Sequence, residues 1–161
     1  MPTNKSLQGM ILFVDDVREE SGGRSSFMGV LGTEIETTGM EKLDVYCVIL
    51  FVPEAAGTLP AVGSIVIEGV PPSFEQPRGM NANLEIPDPG SFVQVVARLK
   101  DIPIGEEPVY IRAKMMLGDK DELSSTLRVT RGDNPASSVK APANKGSRKK
   151  KPVKAKAAAD T

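Results

Sequence analysis

A chain of 161 residues suits one folded domain with room for a tail, because single hydrophobic cores typically occupy about 100–200 residues. With no His, no Trp and one Cys, it can form no Ser-His-Asp triad, Cys-His dyad, His-ligated metal site, intrachain disulfide or multi-cysteine cluster. Aromatics at 4% argue against a base-stacking platform, and the net charge of −1 is close to balance.

Residues 1–9 carry no positive cluster ahead of an apolar core, and the apolar run 10–14 stops at Asp15-Asp16. The longest apolar run, 45–52, stops at Pro53. Both fall far short of the roughly 18 apolar residues of a membrane span, and neither is a signal peptide, so the expectation is a cytoplasmic protein without a membrane span. Residues 10–14 read as a strand apolar on both faces. Gly22-Gly23 then signals a hairpin into a second strand at 24–31. Residues 43–52, apolar almost throughout after Asp44, read as a central strand covered on both sides, with Cys47 as a small buried hydrophobe.

Residues 62–70 are rich in Val and Ile and end at Pro71-Pro72. The stretch 71–89 holds Pro71, Pro72, Pro77, Pro87 and Pro89 and reads as a long connection with one short edge strand near Leu84 and Ile86. In 92–100, Val93, Val95, Ala97 and Leu99 alternate with Gln94, Arg98 and Lys100, and Val96 breaks the polar face. In 109–117, Val109, Ile111, Ala113, Met115 and Leu117 hold five alternate positions. A helix would put Val109, Ala113, Met116 and Leu117 on one face, but the alternation ending at Gly118-Asp119 favours a strand. Leu123, Ser125, Leu127 and Val129 alternate in the same way.

This pattern gives about seven or eight strands and no helix of three turns. It predicts an all-β fold, an antiparallel β-sandwich compatible with a Greek key, with a closed barrel as the main alternative. The domain covers residues 1–131. Residues 132–161, rich in Lys, Ala and Pro with Val139 and Val153 as the only large aliphatics, bury too little to offset the entropy of ordering and read as a disordered basic tail. The balanced charge conceals a division: residues 1–130 hold 11 basic and 19 acidic residues, net −8, whereas 131–161 hold 9 and 2, net +7.

Candidate chemistry is sparse. Asp15-Asp16 and Glu19-Glu20 can serve calcium or acid–base chemistry in principle, but no EF-hand spacing accompanies them, and in a continuing strand Asp15 and Asp16 point to opposite faces. Asp119, Asp121 and Glu122, with Asp88, form a second acidic set at turns, most simply a polar hairpin. Gly29, Gly32 and Gly39 match no phosphate-binding fingerprint, and Cys47 has no imidazole to activate it. The tripeptide Arg131-Gly132-Asp133 spells an adhesion motif by chance. No residue set calls for a cofactor or a metal. The strongest candidate is the tail: Arg148, Lys149, Lys150, Lys151, Lys154 and Lys156 can neutralise phosphates without reading bases.

Residues 11–20 (ILFVDDVREE), then Gly23, Arg24 and the run 25–30 closing on Met28-Gly29-Val30, resemble a family of uncharacterised bacterial and phage-borne small β-rich proteins. Residues 92–100 and 109–117 fit the same outline, and the likeness covers the body, not the tail. It implies a small β domain with no established activity, so no site residue is carried over. The functional expectation is a non-enzymatic binding or structural module for a protein partner, using an exposed sheet edge or the 71–89 loop. The rival is a nucleic-acid-associated protein binding through its tail. A hydrolase with two carboxylates needs no His, but such clefts are usually lined by aromatics, and the chain has 5 Phe and 2 Tyr.

Overall fold

The computed structural model describes residues 8–22, 24–119 and 121–132. Nine strands account for almost all of the fold: β1 (Gln8–Glu20), β2 (Arg24–Leu31), β3 (Glu34–Thr38), β4 (Lys42–Val52), β5 (Gly57–Glu68), β6 (Met80–Ile86), β7 (Val93–Pro103), β8 (Val109–Leu117) and β9 (Asp121–Gly132). They form a four-stranded sheet of order β2-β1-β4-β7 and a five-stranded sheet of order β3-β9-β8-β5-β6. The expected all-β sandwich is therefore present. The count of seven or eight becomes nine, because β3 has only Ile35 as a large aliphatic and reads from sequence as a connection. One pairing is not antiparallel: β3 runs parallel to β9, Ile35 opposite Val129.

The crossovers β4→β5 and β7→β8 change sheets, while β4 pairs β7 and β5 pairs β8. With β9 beside β8, this is the interlocked connectivity of immunoglobulin-like Greek-key sandwiches. A fold of that breadth of use assigns no function.

Alternation drives the packing. From the four-stranded sheet, Ile11, Phe13, Leu43, Val45, Cys47, Ile49, Phe51 and Leu99 face inward; from the other sheet come Ala61, Ile67, Val109, Ile111, Ala113, Met115, Leu117, Leu127 and Val129. Full burial of a Val, Leu, Ile or Phe side chain contributes roughly 1.5–3 kcal/mol, so this two-sided layer is the main source of stability. β4 is buried along its inner face, but its outer face, expected to be covered as well, is fully buried only at Val48, with Tyr46, Leu50 and Val52 half-buried and Asp44 exposed.

Two devices finish the edges. The β4–β7 register shifts between Leu43 and Val45, so Lys100 and Asp101 bulge opposite Asp44. Asp101 adopts φ 55°, and its N–H donates to Asp44 Oδ1 at 2.8 Å. The bulge, with Pro103 behind it, blunts β7 as a free edge. On the other sheet β6 is an edge strand, longer than the expected stub and free of proline. It pairs β5 only as far as Gly63. Beyond that, the side chain of Gln76 takes the place of a strand: it accepts from Ile67 N–H at 2.8 Å and donates to Ile67 C=O at 2.6 Å.

Candidate interaction surface

The two outer faces differ in chemistry. On the five-stranded sheet, cross-strand ion pairs join Arg112 to Glu68 at 3.1 Å, Lys114 to Glu122 at 2.8 Å and Arg128 to Glu34. Val62 and Val66 are exposed among these charges. On the four-stranded sheet, the register aligns Met10 with Leu50, Leu12 with Val48 and Val96, and Val30 with Val14 and Tyr46. Three successive rows are thus apolar except for Gln94 and Arg98, and Arg98 lies over the Tyr46 ring, 5.4 Å from its centroid. Met10 (54%), Val30 (59%) and Val96 (40%) remain exposed on it, and Met28 (47%) is exposed on β2 beyond Gly29. Phe92, the residue before β7 at the Met10 end, is 77% exposed. Charges close the opposite end, where Arg98 pairs with Asp44 and Lys42 with Asp101.

Part of this face is covered. Gln94 Nε2 donates to Ser25 Oγ at 3.3 Å, although β7 and β2 form opposite edges of the sheet. Three interstrand spacings put those edges about 14 Å apart. Along the strands, Gln94 aligns through Leu50 with Met10, whereas Ser25 aligns with Glu19, an offset of nine residues or about 30 Å. No flat sheet can close that gap. The distal β1–β2 hairpin, residues 16–20 and 24–28, must therefore turn back over the outer face, to which Gln94 points. On that same face Val14 and Val48 are fully buried, outside the core cluster. The turn begins where β1–β2 pairing lapses between Val14/Val30 and Asp16/Met28. There Gly29 adopts φ +61°, and the Asp15 carboxylate occupies the space a Cβ at Gly29 would need.

Asp15, Asp16, Glu19 and Glu20 lie within β1, which runs through them rather than ending before them, and Asp15 and Asp16 take opposite faces. Asp16 is held by Arg18 at 2.9 Å, and Glu20 accepts from Ser26. Asp121 and Glu122 open β9, and Asp88 accepts from Ser91 Oγ at 3.2 Å in a separate turn. Among the described residues, no three acidic or Cys side chains gather where a metal could be held. A cleft of about 520 Å³ lies between Gly69–Pro71 and Pro103–Glu107; its carboxylates, Glu106 and Glu107, are neighbours on one loop and do not oppose each other across it. Arg148, Lys149, Lys150, Lys151, Lys154 and Lys156, like all of 133–161, lie outside the described residues. Among those described, no helix is long and apolar enough to cross a membrane.

Sequence reading did not single out Met10, Met28 and Val30 as surface residues. The signal was nevertheless there, in a first strand apolar on both faces and in Val96 breaking an otherwise polar face. No protein-family model matches this chain, and no curated protein matches it.

Proposed function

We propose that the protein is a non-enzymatic binding module that engages a protein partner, itself apolar at the centre of its contact, through the outer face of the four-stranded sheet. The exposed set Met10, Val30 and Val96 on one sheet, against an ion-paired opposite sheet, carries this reading. Clustered apolar exposure on a folded domain is the ordinary mark of an interaction site. The reading takes the protein as cytoplasmic, where the buried, unpaired Cys47 stays a thiol. The family that residues 11–30 resemble brings no activity to it.

Photo-crosslinking residues placed singly at Val30, Val96 and, as a control on the other sheet, Val62 test this in cells. Discrete adducts with one protein from positions 30 and 96, absent from 62, are expected. Val30→Glu should abolish the adduct formed at 96 while the circular-dichroism spectrum stays unchanged. Equal adducts at all three positions, or none at 30 and 96, overturn the proposal.

The charge division supports a second reading, in which the +7 segment 131–161 brings the protein to nucleic acid independently of the sheet face. Mobility shifts of the full chain, with and without the six basic residues between 148 and 156, decide it.

A further inference from the structure

The turned-back hairpin is attached to the sheet in an unusual way. Its backbone pairs with itself, Asp16 with Met28 through to Glu20 with Arg24, so it holds together as a unit. Its ion pair and hydrogen bond, Arg18 to Asp16 and Ser26 to Glu20, are internal to it. Among the described residues, the one polar link from it to the sheet beneath is the neutral bond from Gln94 to Ser25 at 3.3 Å, at the long end of the normal range. Val17 and Phe27, paired in register and half-buried, are its large apolar side chains besides the exposed Met28. On the sheet face over which it turns, Val14 and Val48 are fully buried and separate from the core cluster.

We infer that this hairpin is a strap that opens and closes over the apolar sheet face, so that the face is complete only when the strap lifts. For what the face binds, the inference rests on the reading above; for the motion, it does not. With no fully buried side chain of its own and one weak tether, the arm stands at the low end of local opening free energies, while β4, β5 and β8 open only with the whole fold. The lapse in pairing at Asp15 and Gly29 lets the arm turn without breaking its own ladder. Lifting joins Val14 and Val48 to Leu12, Tyr46, Leu50 and Val96, changing scattered exposure into one continuous apolar sheet surface. The strap thereby protects an aggregation-prone face until a partner competes for it.

Hydrogen exchange of the full chain reads the motion directly. Amides of 16–20 and 24–28 should exchange at least a hundredfold faster than those of Val45–Phe51 and Val109–Leu117. Gln94→Ala should speed the arm a further two- to tenfold, the effect of one net hydrogen bond, and leave the core unchanged. Tying the arm down through Ser25→Cys and Gln94→Cys, in a Cys47→Ala background with a short bis-thiol crosslinker, should bring arm exchange to the core rate. The tie should also cut partner adducts at position 30 at least fivefold. Arm and core amides exchanging together, or adducts indifferent to the tie, overturn the strap. If the arm exchanges freely but no adduct forms at 30 or 96, the binding reading falls while the motion stands. If adducts form and survive the tie, the strap alone falls.

Discussion

Cys47 illustrates how burial governs chemistry at single residues. It is fully buried on β4, and desolvation pushes its thiol from 9.0 up to about 12. The native protein should therefore resist thiol reagents at pH 8 and react only once denaturant unfolds it. Because the folded state keeps the proton that the unfolded chain releases, this group's contribution is complete below pH 9 and is lost as pH rises from about 9 to 12. The loss has an upper bound of about 4 kcal/mol. Urea titrations of wild type and Cys47→Ala at pH 8 and above 10 should diverge by this group alone, with a shallower alkaline decline in the variant. Gly69 shows the same dependence on surroundings through sterics. At φ +82°, a Cβ there would run into the Pro108 carbonyl, whereas Gly22, at φ +85°, has open space around it. Gly22→Ala should cost only the left-handed strain, about 1 kcal/mol, and Gly69→Ala clearly more, about 2 kcal/mol or above. Equal melting temperatures for the two variants would remove the steric argument.

At the scale of elements, side chains substitute for missing strand partners. Gln76 serves both polar groups of Ile67, so Gln76→Ala should cost about 1–3 kcal/mol by leaving them unpaired. Gln76→Glu should be worse than a one-bond loss at neutral pH, because a carboxylate accepts from the Ile67 N–H but only repels the carbonyl. The deficit should shrink in acid as the carboxyl gains a proton to donate. Chemical denaturation of both variants at two pH values checks the pair. These details also mark the limits of reading from sequence. β7, β8 and β9 were legible because one inward face at every second residue is the physical condition for a half-buried strand, β4 because it is apolar on both faces, and β2 because Gly22-Gly23 marks the hairpin before it. β3 was not, because Glu34–Thr38 earns its place by pairing with β9, a partner about 94 positions away in sequence. The length of β1 was hidden by its acidic residues, which read as a strand end but belong to a hairpin arm. That the arm turns back depends on a contact between Ser25 and Gln94, and local pattern carries no trace of it. The candidate face was half legible: two-sided apolarity in residues 10–14 showed that something covers the sheet, without showing that the cover is partial.

For the whole molecule, the relevant quantity is the separation of charge rather than its sum. A body of net −8 repels a polyanion, so any nucleic-acid contact must come from the +7 segment and act against the body's field. Replacing Arg148, Lys149, Lys150, Lys151, Lys154 and Lys156 by Gln moves the net charge from −1 to −7 without touching the described fold. If all six neutralise phosphates on duplex DNA, wild-type affinity should fall about a thousandfold between 50 and 200 mM salt, with a log–log slope near −5. The substituted chain should show neither the binding nor the slope. Val30→Glu, on the sheet face, should leave the DNA titration unchanged while removing the crosslink formed at position 96. Binding that is equal in the two tail forms would locate it on the acidic body, against its net charge, and would end the nucleic-acid reading of the tail. If DNA affinity and partner capture instead fall together in Val30→Glu, the sheet face and the basic segment serve one partner, and the two readings proposed as separate become one.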